Sequence, residues 1–280
     1  MTIVSYSEVV KWQTCPRQYY YRFILGCAPT EESSAITTGI KGHKLLQYFY
    51  ELMREGRTKE EALEIIQQKA LELQQKSSFS DFSILPAWTL VDNYIRDTDF
   101  THEAKMIENR FLFPVSRLDN SPDLAHVQIG FTPDLVIERK GKRLDIEDAK
   151  FVGRAWSAKK LERFPQTKLY QLFMEGMGYQ ISRTLIRFFN TTTAKMSIYP
   201  YVMEPAEKKI LTRDFLTGVR AVLAYKEGPK KELALAPRTM NNNNCQGCSF
   251  SFPCNLEAKG KSAEKTLASQ YIKSDYDYTR

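Results

Sequence analysis

Two adjacent segments, Val127 to Arg139 and Lys142 to Phe151, carry apolar and β-branched residues in strand-like order and meet at a Lys140-Gly141 turn. Each places carboxylates where a core strand would not want them. The first holds Pro133-Asp134 between Ile129-Gly130-Phe131 and Leu135-Val136-Ile137, and the second reads Leu144-Asp145-Ile146-Glu147-Asp148-Ala149-Lys150-Phe151. Strand side chains alternate faces, so Asp148 and Lys150 share one face with Ile146, while Asp145 and Glu147 are expected to turn away. One carboxylate from each strand converging on a point makes a hard-oxygen site suited to Mg²⁺ or Mn²⁺. A lysine two residues past the second carboxylate can orient or help deprotonate a water that attacks a phosphodiester, and it offers positive charge to the developing phosphorane. The plainer reading of the same triplet is an exposed edge hairpin with ordinary surface charges.

The flanking segments have helical periodicity. Ser5 to Ile24 reads as a helical entry, Gly39 to Arg54 as a helix with Leu45, Leu46, Phe49 and Leu52 on one stripe, and Pro86 to Asp97 as another. Thr58 with Glu61 is a capping-box signature that opens a helix to about Lys76. Lys105 to Ser116 reads as a strand, Phe164 to Gly178 as a helix, Thr184 to Phe189 and Met196 to Val202 as strands, and Pro205 to Lys226 as a long helix. Helices, then a small sheet, then more helices imply one α/β domain with helical decoration. His43 lies on the second helix within Gly39-Ile40-Lys41-Gly42-His43, where the glycines allow close backbone approach and a neutral imidazole is a possible metal ligand. Gln166 and Tyr170, four apart, share a helix face.

The chain of 280 residues is 42% hydrophobic and rich in Phe and Tyr, which fits a packed globular protein and excludes a disordered one. Its net charge of +7 suits a polyanionic partner. No basic flank followed by an apolar run opens the sequence, and no stretch approaches the roughly 18 apolar residues of a membrane span, so a cytoplasmic, intracellular setting is expected. There, five cysteines suggest metal ligation and not a disulfide framework. Cys245, Cys248 and Cys254 form a C-x₂-C-x₅-C run, and Cys15 stands in Thr14-Cys15-Pro16-Arg17. Four thiolates suit Zn²⁺ or a [4Fe–4S] cluster, and spacing does not separate the two. Cys27 fits no slot. Tyr19 to Phe23, with Arg17 and Arg22, reads either as a single-strand stacking surface or as a packed helix face. Lys159, Lys160 and Arg163, between Lys150 and Gln166, are candidate phosphate contacts.

Taken together, His43 after Gly39, Pro133-Asp134, Asp148-Ala149-Lys150 and the Gln166/Tyr170 pair resemble the RecB-like nucleases of the PD-(D/E)xK superfamily in order and separation. Gly130 stands four residues before Asp134, where the family often has glycine three before, and Pro133 intervenes. The resemblance implies a restriction-endonuclease-like core, a central mixed sheet flanked by helices. It implies that His43, Asp134, Asp148 and the Ala149 carbonyl bind the metal, that Lys150 is catalytic, and that Gln166 and Tyr170 support the site or the DNA. The split cysteines Cys15, Cys245, Cys248 and Cys254 resemble the iron–sulphur members, which include AddB-type subunits and CRISPR-associated adaptation exonucleases. By that resemblance, residues 1–280 form a single nuclease domain with its catalytic core at 100–205, and segments 1–30 and 235–260 together build an iron–sulphur lobe. The implied activity is metal-dependent DNA cutting, exonucleolytic on ends or single strands. No GxxxxGK[ST] motif occurs, so unwinding would come from a partner such as a helicase, a strand-annealing protein or a CRISPR adaptation protein, with oligomerisation left open. The alternatives are a zinc-stabilised nuclease and a non-cutting DNA-end-binding or complex-forming module.

Overall fold

The computed structural model describes residues 1–30, 34–76, 84–100, 103–139, 141–154, 156–162, 164–228, 236–239 and 245–273. The chain opens with β1 (Thr2–Ser5), α1 (Tyr6–Thr14), α2 (Pro16–Tyr19), a π-helical turn (Tyr20–Ile24) and β2 (Cys27–Pro29). Three longer helices follow, α3 (Ser34–Arg54), α4 (Lys59–Lys76) and α5 (Ile84–Asp97). Next come β3 (Ala104–Ile107), β4 (Phe111–Pro114), β5 (Val127–Phe131), β6 (Leu135–Glu138) and β7 (Leu144–Val152). After α6 (Ala158–Glu162) and α7 (Gln166–Gly176) the chain forms β8 (Ile181–Asn190), β9 (Met196–Tyr201) and α8 (Pro205–Glu227). It continues with α9 (Ser251–Ala258), α10 (Glu264–Gln270) and β10 (Tyr271–Lys273). No helix among the described residues is long and apolar enough to cross a membrane.

These elements sort into two compact units, Met1–Glu32 with Leu112–Phe131 and Lys209–Arg280, and Ser33–Phe111 with Thr132–Lys208. The second unit is built on a mixed five-stranded sheet in the order β3-β6-β7-β8-β9. β6 and β7 are antiparallel, β7 and β8 are parallel, and β8 and β9 are antiparallel. The parallel pair needs a crossover, and α6 and α7 supply it. Leu45, Phe49, Val91, Ile95, Ala149, Phe151 and Phe189 form the buried layer between α3, α5 and the sheet. The Thr58–Glu61 capping box forms as the sequence implies, with Thr58 N–H on Glu61 at 3.0 Å and Glu61 N–H on Thr58 Oγ at 3.2 Å.

Two expected strands are each broken. Lys105 to Ser116 divides into β3 and β4, because Glu108 takes a left-handed φ of 48° and Asn109 Oδ1 accepts the Ile107 N–H at 2.9 Å, ending the strand. Val127 to Arg139 divides at Thr132-Pro133-Asp134, where proline removes a ladder donor. β5 therefore belongs to a three-stranded sheet, β1-β5-β4, and only β6 pairs with β7. Asp145 and Glu147 are not outward surface charges. Both are buried, Asp145 against Arg139 at 2.8 Å and Arg183 at 3.0 Å, Glu147 against Arg187 Nη2 at 2.8 Å.

In the first unit, α1 begins at a Ser5–Glu8 capping box. It stops at Cys15 because the residue before a proline is pushed into extended backbone (φ −164°, ψ 109°), while Pro16 starts α2 at the position where its missing N–H costs nothing. Cys15 is thereby held at a helix junction. Tyr21, Phe250 and Tyr271 stack with ring centroids 5.3 Å apart, joining the early aromatic run to the cysteine-bearing segment.

Candidate active site

The site lies where β6 leaves Pro133 and β7 passes beneath it. Asp134 caps the start of β6, and its Oδ2 accepts the Ala149 N–H at 2.7 Å, which ties the two strands together at the carboxylate. His43 reaches the same point from α3, with Nδ1 3.4 Å from Asp134 Oδ2. That approach depends on Gly42: a Cβ there would lie 2.2 Å from the Phe151 ring, so only glycine lets the helix pack this close to β7. Gly39 is less demanding, its nearest neighbour being 3.9 Å away.

A third group completes the cluster. Glu108 Oε1 lies 3.9 Å from His43 Nδ1, and ligand atoms of His43, Glu108 and Asp134 all fall within 4.8 Å of one another. Sequence reasoning passed over Glu108. Its signal was Glu108-Asn109 interrupting an apolar strand, the same irregularity that marked Pro133-Asp134. His43, Glu108, Asp134 and Ala149 line a cavity of about 20 Å³, room for one water- or ion-sized occupant.

From β7, Lys150 reaches Gln166 on α7, and Asp148 beside it feels the charges of Asp134 and His43. Lys150 Nζ donates to Asp148 Oδ1 at 3.0 Å and to Gln166 Oε1 at 3.2 Å, and the Gln166 amide donates to the Tyr170 hydroxyl at 3.0 Å. The chain Asp148–Lys150–Gln166–Tyr170 thus fixes the ammonium. Asp148 is fully buried, and its Oδ2, though 2.8 Å from Lys150 Nζ, accepts no hydrogen bond among the described residues.

The electrostatics fit a cation. Burial, then the neighbouring Asp134 and Asp148, push the Glu108 carboxyl up to about 8. Burial raises Asp134 and Asp148 to about 6 each, against the pull of Lys150. Burial and the Lys150 charge lower His43 to about 4, so its imidazole is neutral and its lone pair is free to ligate. Burial pulls Lys150 down, yet Asp148 and Asp134 more than offset this and raise it, so it stays an ammonium. Crowded carboxylates, a neutral histidine, an unbonded carboxylate oxygen and an ion-sized cavity are the donor set of a hard divalent metal.

The thiols also converge. Cys15, Cys245, Cys248 and Cys254 line one cavity of about 390 Å³ together with Arg17, Tyr21, Arg238 and Phe250. The Phe250 N–H donates to Cys248 Sγ at 3.4 Å, as amides do toward a thiolate. Cys27 lies on a different cavity, with Tyr20 and Lys273. Four thiols on one cavity supply the donor type of a metal centre, with Cys245 exposed and the other three half-buried.

The basic candidates fare differently. Arg17 is 5% exposed and ion-paired with Glu257, so it offers no charge to a phosphate at the surface. Arg22 donates to the Cys27 carbonyl at 3.3 Å. Tyr19 and Tyr21 are fully buried, so for these two rings the packed helix face is the reading that holds, and neither is open to a base. Lys160 is exposed, with its ammonium 4.0 Å over the Trp156 ring. Arg163 and the Lys159 side chain lie outside the described residues.

The sequence matches the PD-(D/E)XK nuclease superfamily over residues 3–255. A comparison with curated proteins finds no match. Among solved structures, the crystal structure of SSO0001 is 14% identical, with a TM-score of 0.43 over 90% of this chain and 85% of that one.

Proposed function

Because the chain belongs to the PD-(D/E)XK nuclease superfamily, we propose that it hydrolyses DNA phosphodiesters at the His43–Glu108–Asp134–Asp148–Lys150 site. The observation that carries this reading is the convergence of His43, Glu108 and Asp134 within 4.8 Å, beside the strand that presents Asp148 and Lys150. His43, Glu108, Asp134, Asp148 and the Ala149 carbonyl would hold Mg²⁺ or Mn²⁺. Bound there, the ion would polarise the phosphodiester and supply a nucleophilic water. The remaining work falls to the chain itself. Lys150, kept charged by Asp148 and aimed by Gln166, places positive charge where the phosphorane develops. Tyr170 sets the Gln166 amide, and through it the lysine.

Finer features belong to the same proposal. The protein is an exonuclease on DNA ends or single strands, of RecB and AddB type, working with a helicase, a strand-annealing protein or a CRISPR adaptation protein. Residues 1–280 act as one nuclease, with 100–205 as its catalytic core and segments 1–30 and 235–260 forming a lobe around a [4Fe–4S] cluster on Cys15, Cys245, Cys248 and Cys254. The four cysteines line one cavity, which supports a common centre. Lys160, with Lys159 and Arg163, contacts phosphates.

Linear and covalently closed circular DNA, each single- and double-stranded, test this with Mg²⁺ or Mn²⁺. Degradation of linear forms alone supports an exonuclease. Cutting of circles would make it an endonuclease, and tight binding of ends without cutting would favour the non-catalytic module.

A further inference from the structure

Glu257 is a hub that joins the segments carrying the four thiols. It sits on α9, three residues after Cys254. Its Oε2 receives Arg17, two residues after Cys15, in an ion pair whose side chains are 7% and 20% exposed. The same oxygen accepts the Tyr21 hydroxyl at 2.6 Å and Arg238 Nη2 at 3.2 Å. Arg17 is held from both sides, its guanidinium 4.9 Å from the Tyr20 ring centre and 5.1 Å from that of Tyr21. Its N–H also donates to the Pro237 carbonyl at 3.0 Å, which satisfies an orphan amide of α2 and ties down the segment before Cys245.

The pattern is selective. Arg17, Tyr21 and Arg238 come from the stretches beside Cys15 and Cys245, and all three meet one carboxylate beside Cys254. Arg17, Tyr21 and Arg238 also line the four-thiol cavity. A buried guanidinium paired with a carboxylate keeps its geometry because breaking the pair would strand a desolvated charge.

We propose that Arg17 and Glu257 form a latch that presets the four-cysteine site and slows loss of its metal, with Tyr21 as an auxiliary positioning residue. The proposal rests on the cluster reading above. A preset site loses less conformational freedom on binding than a disordered one, and outer partners that orient ligands commonly change metal affinity 10–100-fold.

The test is the rate of iron release to a chelator, followed by the visible absorbance of full-length protein purified without oxygen. Wild type should hold about four irons per chain. Glu257→Gln and Arg17→Gln should release them at least about tenfold faster, the double variant no faster than either single one, and Arg17→Lys at an intermediate rate. Tyr21→Phe, which keeps the ring and is the variant least at risk of misfolding, should release faster than wild type by a smaller factor. Release by Tyr21→Phe and Glu257→Gln at the wild-type rate would overturn the latch. Iron-free wild type would instead overturn the cluster reading, and with it the metal-retaining role.

Discussion

Truncating Glu147 isolates what the buried network behind the site contributes. Glu147 and Arg187 are 5% and 8% exposed, pair on adjacent parallel strands, and Arg187 also lies 4.5 Å over the Tyr94 ring, whose hydroxyl bonds that of Tyr50. Glu147→Ala removes the only carboxylate bonded to that guanidinium among the described residues and leaves its charge desolvated. Breaking a buried pair from one side costs about 3–5 kcal/mol. At roughly 2–4 °C per kcal/mol for a chain of this size, the thermal midpoint should fall by about 6–20 °C. Glu147→Met with Arg187→Met removes both charges and should recover most of that loss, because paired removal is often near neutral. Thermal unfolding followed by circular dichroism gives the midpoints. Glu147 also lines the cavity with His43, Glu108 and Asp134, so the midpoint and not the cutting rate is the readout here. A Glu147→Ala midpoint within about 2 °C of wild type would refute the reasoning.

Asp148→Asn and Lys150→Ala should each lower the cutting rate at least 10²-fold, roughly, with circular dichroism unchanged, since the first weakens a ligand of the ion and the second removes positive charge at the reacting phosphate. Gly42→Ala should cost about 1–3 kcal/mol and weaken cutting, because its Cβ would meet the Phe151 ring at 2.2 Å, whereas Gly39→Ala, with 3.9 Å of room, should be tolerated; equal denaturation midpoints would reject this contrast. The metal-free protein should lose stability as pH rises. Glu108, at about 8 against an ordinary 4.5, and Asp134 and Asp148, at about 6 against 3.8, bind protons more tightly when folded, so their contribution is full below about 4 and is lost through 6 to 8. In chelator, the midpoint should fall across that range, with the upper part flattened in Glu108→Gln; parallel curves for the two proteins would contradict it.

Local signals were legible in the sequence where local physics decides. Alternation on β7 put Asp148 and Lys150 on one face, the Thr58 box started its helix, and the paired glycines foretold the close approach of α3. What escaped depends on register between distant segments. Asp145 and Glu147 look like surface charges until β8 brings Arg183 and Arg187 alongside, some forty residues later in the chain. Glu108 reaches the site only because a left-handed residue ends β3, a conformation that a glutamate does not advertise. Pro133 marked a strand irregularity but not that β5 would join another sheet. Arg17 beside an aromatic run suggests a nucleic-acid surface, and only the distant Glu257 shows its charge to be internally matched.

The proposed chemistry is phosphodiester cutting with a divalent ion held by His43, Glu108, Asp134 and Asp148. Its most direct test is the cleavage rate of end-labelled single-stranded DNA as Mn²⁺ is titrated into wild type and Asp134→Asn. Wild type should show saturable activation and complete loss in chelator, and Asp134→Asn should not cleave at Mn²⁺ concentrations that saturate wild type. Cleavage in chelator, or by Asp134→Asn at the wild-type rate, would contradict it.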